Sequence, residues 1–331
     1  MKVPASKPYF FSKDQKFILD GLKKILVGKS FLSMGNYGKL FENKFAKFIG
    51  TKYAVSCNSG TSALELICRS LNIQGKEIIV PSNTFIASVN AILNAGSKPV
   101  FADCGDDMCI NYENLKKKIT KNTAAIMVVH IGGIITKDIF KIKKLCKNKK
   151  IFLIEDAAQA HGSSLKKKKA GSFGVAAGFS FFSTKVMTTG EGGMVTTNSL
   201  EMVKKMKSMR EFGKIKKGIY TNYHTSIGYN WRFGEINSLM GLMQLKSIKK
   251  FINGRKKIAR IYDTELSDLK NIEIIKPSNS KEHNYFKYII LLKNKKREIV
   301  HKYLEKILFL QEDMFMRYLY INSLYLKNII N

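Results

Sequence analysis

The stretch Cys57-Asn58-Ser59-Gly60-Thr61-Ser62-Ala63-Leu64 decides the fold class, because it links a strand pattern to a helix pattern through a glycine turn. A β-rich run at residues 53–57 precedes it, and a helical pattern over residues 62–71 follows. Further β-rich runs lie at residues 77–80, 98–103, 124–130, 151–155, 178–182 and 193–197. Several are apolar without alternation, which is typical of a sheet covered on both faces. The first two thirds of the chain are therefore predicted to form a layered α/β domain.

Helical patterns alternate with these runs and indicate how the chain is divided. They lie at residues 84–93, 139–147, 200–210 and 233–261. Pro277 marks a break, and a strand-like run follows at residues 285–292. These patterns predict a large domain over residues 1–249 and a small C-terminal domain that begins at residue 250.

Composition excludes several classes of protein. The chain has 331 residues, of which 45% are hydrophobic, so disordered, collagen-like and small disulfide-rich folds do not fit. Its five cysteines are an odd number without a Cys-x-x-Cys pair, which fits neither a disulfide framework nor a zinc site and favours a reducing cytoplasm. No apolar segment has the length of a membrane span or the pattern of a secretory signal, so a soluble, unexported protein is expected.

The net charge is +32, from 57 basic and 25 acidic residues, and such a balance would ordinarily suggest a nucleic-acid partner. However, only seven of the basic residues are arginines, and the lysines are spread along the chain. Nucleic-acid readers favour clustered charge and the bidentate contacts of arginine. The longest lysine run, at residues 166–169, is predicted to be a solvated turn. The charge therefore favours a general attraction for polyanionic small molecules over a dedicated nucleic-acid function.

The glycine turn at residues 57–64 also has the features of an anion site. A helix that starts directly after a strand points free backbone N–H groups at one spot, and the neighbouring Ser and Thr side chains add hydroxyl groups there. The alternative is that these Ser and Thr side chains are ordinary helix caps.

Two side chains further along the chain extend this candidate site. Asp156 ends the hydrophobic run at residues 151–154, and ligands of open α/β sheets lie beyond such strand ends; alternatively, Asp156 caps a helix. Lys185 is the only charged residue between Ala170 and Gly190. A lysine in such surroundings can lose its proton and attack a carbonyl group. The alternative is a lysine whose stem packs on apolar surface while its amine reaches water.

An anion cradle, a strand-end aspartate and an isolated lysine, in this order, are the parts that hold pyridoxal 5'-phosphate. The cradle anchors the phosphate, the aspartate pairs with the pyridinium nitrogen, and the lysine captures the aldehyde as a Schiff base. The sequence therefore predicts a pyridoxal-phosphate enzyme.

Six blocks of sequence are similar to one enzyme family, and the resemblance as a whole covers the chain from about residue 8 to about residue 306. They are Ser59-Gly-Thr-Ser-Ala-Leu64, Val80-Pro-Ser-Asn-Thr-Phe85, Glu155-Asp-Ala-Ala-Gln-Ala-His-Gly162, Phe179-Ser-Phe-Phe182 with Lys185, Gly190-Glu-Gly-Gly193, and Gly228-Tyr-Asn-Trp-Arg-Phe-Gly-Glu235 through Gly241-Leu-Met-Gln-Leu245. In order and spacing they resemble the DegT/DnrJ/EryC1/StrS family of nucleotide-sugar aminotransferases. The resemblance implies fold type I of the pyridoxal-phosphate-dependent transferases, with a large domain built on a mostly parallel mixed sheet between helices and a smaller C-terminal α+β domain.

The resemblance also implies roles for matching residues around the cofactor ring. Lys185 would bind the cofactor as the internal aldimine and then move protons, and Asp156 would pair with the ring nitrogen. Gln159 would meet the phenolic oxygen, and Phe85 would stack on the ring. His161 lies near the site in relatives but receives no firm role, and a structural histidine is the alternative.

The phosphate of the cofactor would have a second set of partners. Gly60, Thr61 and Ser180 would hold it within one subunit, and Asn230 would reach it from the neighbouring subunit. The resemblance therefore implies a homodimer with shared active sites.

The implied reaction moves an amino group from an amino acid, with glutamate as the expected donor, to a keto group on a nucleotide-linked deoxysugar. Its expected use is amino-sugar biosynthesis for surface glycans such as lipopolysaccharide O-antigen. The block at residues 187–193 is more similar to perosamine-type members, which aminate C4, than to members that aminate C3.

Three alternatives to this reaction stay open. The family includes sugar dehydratases that carry histidine at the Schiff-base position, and Lys185 argues against that activity. A noncatalytic relative that retains the fold is the second alternative. The third is the basic nucleic-acid binder.

The resemblance ends near Lys306, and this bears on the C-terminal domain. Residues 311–326 have no family counterpart as written, but an alternative reading of their possible codons is similar to the family segment Gly-Gly-x-Val-Tyr-Glu-Ile-Pro-Leu-His-x-Gln-Pro. This predicts a frameshift near Glu305 and Lys306, with residues 307–331 out of frame and the small domain, residues 250–306, incomplete. The alternative is a natural short variant with a helical tail, and sequencing the gene distinguishes the two.

Overall fold

The helices and strands are seen in a computed structural model that describes residues 7–218, 220–293, 298–300 and 302. Over these residues the helices are α1 (Ser12–Leu26), α2 (Asn36–Ile49), α3 (Gly60–Ser70), α4 (Ile86–Asn94), α5 (Tyr112–Lys118), α6 (Ile139–Lys149), α7 (Leu200–Met209) and α8 (Glu235–Glu265). The strands are β1 (Tyr53–Cys57), β2 (Glu77–Pro81), β3 (Lys98–Ala102), β4 (Thr123–Val129), β5 (Phe152–Asp156), β6 (Ser164–Leu165), β7 (Lys168–Lys169), β8 (Ala176–Ser180), β9 (Gly193–Thr197), β10 (Lys214–Lys217), β11 (Tyr220–His224), β12 (Ile272–Ile275) and β13 (Ile289–Leu292).

A seven-stranded sheet forms the centre of the fold, in the order β1-β9-β8-β5-β4-β2-β3. Strands β8, β5, β4, β2 and β3 are parallel to one another, whereas β9 runs antiparallel to both β1 and β8. Gly193 of β9 lies opposite Cys57 on one side and Ser180 on the other. The carboxyl ends of β1 and β8 therefore meet at one edge, and the predicted α/β fold with a mostly parallel mixed sheet is confirmed.

Strand β4 explains why the predicted strands read as continuous apolar runs. Ile126 and Val128 belong to one core cluster, together with side chains of α2, α6 and α8. Ala125 and Met127 belong to a second cluster, on the face covered by α3, α4 and α7. Because each fully buried aliphatic side chain contributes about 1.5–3 kcal/mol, both faces stabilise the sheet.

Helix α2 was not predicted from the sequence, and its start depends on a distant residue. Its first residues lack a side-chain cap of their own. Instead, the buried carboxylate of Glu235 accepts hydrogen bonds from the backbone N–H groups of Tyr37 and Gly38, each at 2.8 Å. This contact joins residues almost 200 positions apart, so no local pattern reveals it. Helices α1 and α5, strand β12 and the hairpins β6–β7 and β10–β11 were not predicted from the sequence either.

The predicted solvated turn at residues 166–169 is part of the β6–β7 hairpin. Lys166 and Lys167 are exposed at its tip, where both have positive φ angles. Lys168 and Lys169 are half-buried in β7 and pair with β6.

Helix α8 is shared between two parts of the chain. Ile248 packs in the first core cluster, whereas Tyr262 packs with Leu266, Leu269 and other residues in a separate small cluster beside the antiparallel pair β12–β13. The predicted domain boundary at residue 250 therefore lies within this helix. Residues 307–331, the predicted out-of-frame tail, lie outside the described residues.

The predicted strand at residues 285–292 is shorter in the structure. Only Ile289–Leu292 forms β13. Tyr285 has a φ angle of 49°, a left-handed conformation that a strand cannot contain.

Among the described helices, none has the length and apolar character needed to cross a membrane.

Candidate active site

The site lies where β1, β5 and β8 end. Asp156 of β5 pairs in register with Gly178 of β8, and Ser180 of β8 lies across β9 from the end of β1. In an open α/β sheet this carboxyl edge is where ligands bind. The topology therefore brings together the cradle, the aspartate and the strand that leads to Lys185.

The predicted anion cradle is the N-terminus of α3, which begins at Gly60 directly after β1 and its short turn. The hydroxyl of Ser59 accepts a hydrogen bond from the N–H of Ser62 at 3.1 Å, so the capping alternative is correct for Ser59. A Cβ atom on Gly60 would lie 2.7 Å from Cβ of Ser180, so only glycine permits this close approach. The first N–H groups of a helix have no partner within it, so those of Gly60 and Thr61 suit an anion.

Asp156 is buried and held in one orientation by two donors. Ser88 donates its hydroxyl to Oδ2 at 2.6 Å, and Ala158 donates its N–H to Oδ1 at 3.1 Å. The hydroxyl groups of Thr84 and Ser88 are 2.7 Å apart and extend this network. No helix follows Asp156 over residues 157–163, so the helix-cap alternative is wrong.

Lys185 lies on the loop after β8, with its side chain half-buried. Burial lowers the pKa of its amine, and the negative charge of Asp156 opposes that shift. The amine lies 5.2 Å from the centre of the Phe286 ring. A lysine whose charged form is disfavoured is a better nucleophile near neutral pH than a solvated one.

Phe85 and Gln159 occupy different environments. Phe85 precedes α4, and its side chain is 62% exposed, so a broad aromatic face is open for stacking. Gln159 is buried, and its amide oxygen accepts a hydrogen bond from the N–H of Gly132 at 2.7 Å. Because that oxygen faces a backbone donor, the amide nitrogen is left as the donor of this side chain.

The segment of Asn230 lies beside the cradle turn, where Asn58 donates its N–H to the carbonyl of Trp231 at 3.1 Å. Asn230 is exposed and pairs through its backbone with Glu211, while the neighbouring Trp231 donates its N–H to Arg210 at 3.0 Å. Among the described residues, no hydrogen bond joins its side chain to the other predicted site residues.

His161 is fully buried in a group of aromatic rings. Its ring centre lies 5.3 Å from that of Phe179, 5.7 Å from that of Phe181 and 6.5 Å from that of Phe45. Burial, together with the charge of Lys185, lowers the pKa of His161 to about 3. A histidine that is neutral near pH 7 and packed among aromatic rings supports the structural alternative.

Asn284 is a residue of the site region that the sequence did not reveal. It is fully buried, and its amide nitrogen donates to the backbone carbonyls of Gln159 at 2.9 Å and His161 at 3.1 Å. Its amide oxygen accepts the N–H of Phe286 at 2.9 Å. A single asparagine before aromatic residues does not indicate a functional site in a sequence. Only the hydrogen bonds to residues more than 120 positions away show that Asn284 lies next to the site.

These residues fit pyridoxal phosphate. The close approach of Gly60 to Ser180 leaves N–H and hydroxyl donors for a phosphate at one end of the site. Asp156 supplies a buried carboxylate held by neutral donors, which suits a protonated ring nitrogen. Lys185 supplies an amine with a lowered pKa, which suits an aldehyde. The donor set therefore matches the phosphate, nitrogen and aldehyde of the cofactor.

Comparisons with known proteins agree with this chemistry. A GDP-perosamine synthase of Vibrio cholerae is 37% identical over 292 residues, which cover 88% of this chain and 77% of that protein. The structure of Helicobacter pylori PseC, an aminotransferase involved in the biosynthesis of pseudoaminic acid, is 32% identical with a TM-score of 0.88 and covers 99% of this chain and 89% of that one.

A third similar protein is a dehydratase. The structure of the Escherichia coli GDP-4-keto-6-deoxy-D-mannose-3-dehydratase with bound hydrated PLP is 27% identical with a TM-score of 0.84, and covers 93% of this chain and 83% of that one. The fold is therefore common to two activities.

The family model described as the DegT/DnrJ/EryC1/StrS aminotransferase family matches residues 12–329. This range continues past Lys306, where the motif resemblance ends. With pyridoxal phosphate as its cofactor, the chain belongs to the DegT/DnrJ/EryC1/StrS aminotransferase family.

Proposed function

We propose that this protein transfers the amino group of an amino acid, with glutamate as the donor, to the keto group of a nucleotide-linked deoxysugar. The observation that carries the proposal is the half-buried amine of Lys185, whose pKa is lowered, at the same sheet edge as Asp156 and the α3 cradle. The similarity to a GDP-perosamine synthase supports a nucleotide-sugar substrate.

Each residue of the site has a task in this proposal. When bound, pyridoxal phosphate withdraws electrons from the carbon that bears the amino group and stores that group between the two half-reactions. Lys185 holds the cofactor and, as an amine, takes a proton from that carbon and returns one. Asp156, kept in orientation by Ser88, maintains a proton on the ring nitrogen. The N–H groups of Gly60 and Thr61, with the hydroxyl of Ser180, hold the phosphate.

Amination at C4 is the finer part of the proposal. It is supported by the block at residues 187–193, which is similar to perosamine-type members, and by the name of the Vibrio cholerae relative. The products would serve amino-sugar biosynthesis for surface glycans such as O-antigen. The five cysteines, all of them free thiols, support a reducing compartment such as the cytoplasm.

A homodimer with shared active sites is also part of the proposal. Asn230 is exposed, and its side chain makes no hydrogen bond to the cradle among the described residues of its own chain, which suits a residue that acts in the neighbouring subunit. Large apolar side chains are also exposed. Ile227, three residues before Asn230, is 81% exposed, and Phe31, in a distant part of the sequence, is 74% exposed. Exposed apolar surface of this kind is typical of an interface with another protein.

The experiment that tests the function begins with the purified protein and added pyridoxal phosphate. Lys185→Ala is expected to abolish the visible absorption band of the lysine-bound cofactor and all amino transfer. The matched control is Lys167→Ala, which removes an exposed lysine on the β6–β7 turn and is expected to keep both. A band that persists in Lys185→Ala contradicts the assignment of Lys185.

The substrate is tested with a panel of GDP- and UDP-linked keto-sugars and nitrogen-labelled glutamate. Label in the sugar product, detected by mass spectrometry and placed at C4 by NMR, is the expected result. Loss of a sugar hydroxyl without incorporation of nitrogen would identify a dehydratase instead. Retention of the cofactor with no reaction across the panel would favour a noncatalytic relative.

A further inference from the structure

Two basic side chains besides Lys185, Lys287 and Arg255, lie on or beside the segment of Phe286 at the edge of the site. The amine of Lys287 lies 5.3 Å from the centre of the Phe286 ring, and the amine of Lys185 lies 5.2 Å from the same centre. Arg255 of α8 donates a hydrogen bond to the carbonyl of Tyr285 at 3.3 Å, one residue before that ring. Three basic side chains therefore lie near residues 285–287, and we call them the Lys185–Arg255–Lys287 cluster.

The fold fixes the position of this cluster. The N–H of Lys287 donates to the carbonyl of Gly132 at 3.1 Å, and Gly132 in turn donates to the side chain of Gln159. Asn284 ties the start of the same segment to the carbonyls of Gln159 and His161. The segment at residues 284–287 is thus docked on the loops that carry the predicted cofactor residues.

The charges of the cluster affect one another. Burial and the charges of Lys185 and Arg255 lower the pKa of Lys287 to about 7. Lys185 and Arg255, but not Lys287, line a cleft of about 460 Å³, together with Lys250 and aromatic side chains such as Tyr9 and Phe251. None of the described residues that line this cleft is Asp or Glu. A positive cluster in a partly buried place attracts an anion more strongly than the same charges in water.

We propose that Lys287 and Arg255 bind the carboxylate of the amino-acid donor beside the amine of Lys185. The inference rests on the proposed function and names a donor-binding site for it. In an α-amino acid the carboxylate is attached to the same carbon as the reacting amine, so its anchor must lie next to Lys185. In a nucleotide-linked sugar the sugar ring separates the diphosphate from a C4 keto group. With the keto group at Lys185, the diphosphate would therefore lie too far away to be bound by Lys287 and Arg255.

Binding of glutarate, a dicarboxylate without an amine, tests the site independently of turnover. Calorimetric titration of the cofactor-loaded protein is expected to show affinity for glutarate, and Lys287→Gln is expected to weaken it by about tenfold. Lys287→Arg, which keeps the charge, should retain most of the affinity. The matched control is Lys257→Gln, an exposed lysine two residues from Arg255 on α8, which should change the affinity by less than about twofold.

The two half-reactions separate the donor from the sugar. In single-turnover experiments, Lys287→Gln is expected to raise the half-saturating glutamate concentration about tenfold and to leave that of the keto-sugar within about twofold. An effect on the sugar half-reaction alone would assign the cluster to the diphosphate and overturn the proposal. Equal glutarate affinity in Lys287→Gln and the unaltered protein would also overturn it.

Failure of this inference can be told apart from failure of the proposed function. A protein that binds the cofactor and transfers amino groups, but whose glutamate dependence is unchanged in Lys287→Gln and Arg255→Gln, retains the function and loses the donor site. A protein that transfers no amino group, yet binds glutarate in a manner that needs Lys287, retains the anion site and loses the function. Should Lys287→Gln not fold, Lys287→Met and Arg255→Lys provide the same comparison.

Discussion

The hydroxyl of Ser88 lies 2.6 Å from Oδ2 of Asp156, so a residue of α4 determines the orientation of a carboxylate at the end of β5. The two residues are 68 positions apart in the chain. This hydrogen bond leaves the other carboxylate oxygen to the N–H of Ala158 and fixes the plane of the group. A ligand at the sheet edge would therefore meet a carboxylate in a preset direction.

The first prediction concerns these two residues. Asp156→Asn is expected to reduce turnover far more than cofactor affinity, because the loss of a charge-assisted hydrogen bond costs about 1.5–3 kcal/mol in binding while the phosphate anchors remain. Ser88→Ala is expected to have a smaller effect on turnover than Asp156→Asn, about 10- to 100-fold, since a hydrogen bond from a hydroxyl to a carboxylate contributes about 1.5–3 kcal/mol. Steady-state kinetics and cofactor titration measure both quantities.

Ser70→Ala is the control for Ser88→Ala. Ser70 is also buried, but its hydroxyl donates to the carbonyl of Ile67 within α3. We expect Ser70→Ala to lower stability without lowering turnover. Equal losses of turnover in the two serine variants would show that Ser88 acts only through stability.

The second prediction tests the cradle. Gly60→Ala is expected to weaken cofactor binding by at least about tenfold, because the new Cβ would lie 2.7 Å from Cβ of Ser180 and would force the two segments apart. Gly254→Ala on α8 is the control, since no atom lies within 4 Å of its added Cβ. Because glycine within a helix is less stable than alanine, the free energy of unfolding of Gly254→Ala should rise by about 0.5–1 kcal/mol. Normal cofactor affinity in Gly60→Ala would remove the cradle from the site.

The third prediction concerns Asn284. Asn284→Ala leaves the carbonyls of Gln159 and His161 without this donor in a buried place, and an unsatisfied buried group costs about 1–3 kcal/mol. We expect a lower free energy of unfolding and weaker cofactor binding, measured by urea titration and by absorbance. Asn253→Ala, at an exposed position on α8, is the control and should change neither quantity. Weakened stability with unchanged cofactor affinity would make Asn284 purely structural.

The fourth prediction is a pH dependence of stability. His161 has a pKa of about 3 in the folded protein, whereas an unfolded histidine titrates near pH 6.5. Below about pH 6.5 the unfolded state therefore binds the extra proton, and the folded state loses stability as the pH falls. For one such histidine the slope approaches about 1.4 kcal/mol per pH unit.

His161→Leu is expected to reduce that slope between pH 6.5 and pH 5, as measured by urea unfolding at each pH. Phe179→Leu is the control, because it disturbs the same aromatic group without removing a titrating side chain. It should lower stability by a similar amount at every pH. A slope that is the same in His161→Leu and in the unaltered protein would contradict the assignment.

Patterns in the sequence were sufficient for the seven strands of the central sheet and for the placement of much of the candidate site. Strands β1 and β9 coincide with the predicted runs, because apolar and β-branched residues that are buried on both faces leave a local signal. The sequence also placed Gly60 at a strand-to-helix turn, Asp156 at a strand end, and Lys185 alone among small and apolar residues. Each of these features depends only on neighbouring residues.

The tertiary structure decided everything that depends on residues far apart in the chain. The start of α2 is set by Glu235, the orientation of Asp156 by Ser88, and the loop of Gln159 by Asn284. A hydrogen bond or an ion pair between distant segments leaves no periodicity in either segment, because each side chain alone is an ordinary polar residue. For the same reason Lys287 could not be identified from the sequence, which contains many lysines. Its burial and the nearby charges of Lys185 and Arg255, rather than its sequence context, distinguish it from the other lysines.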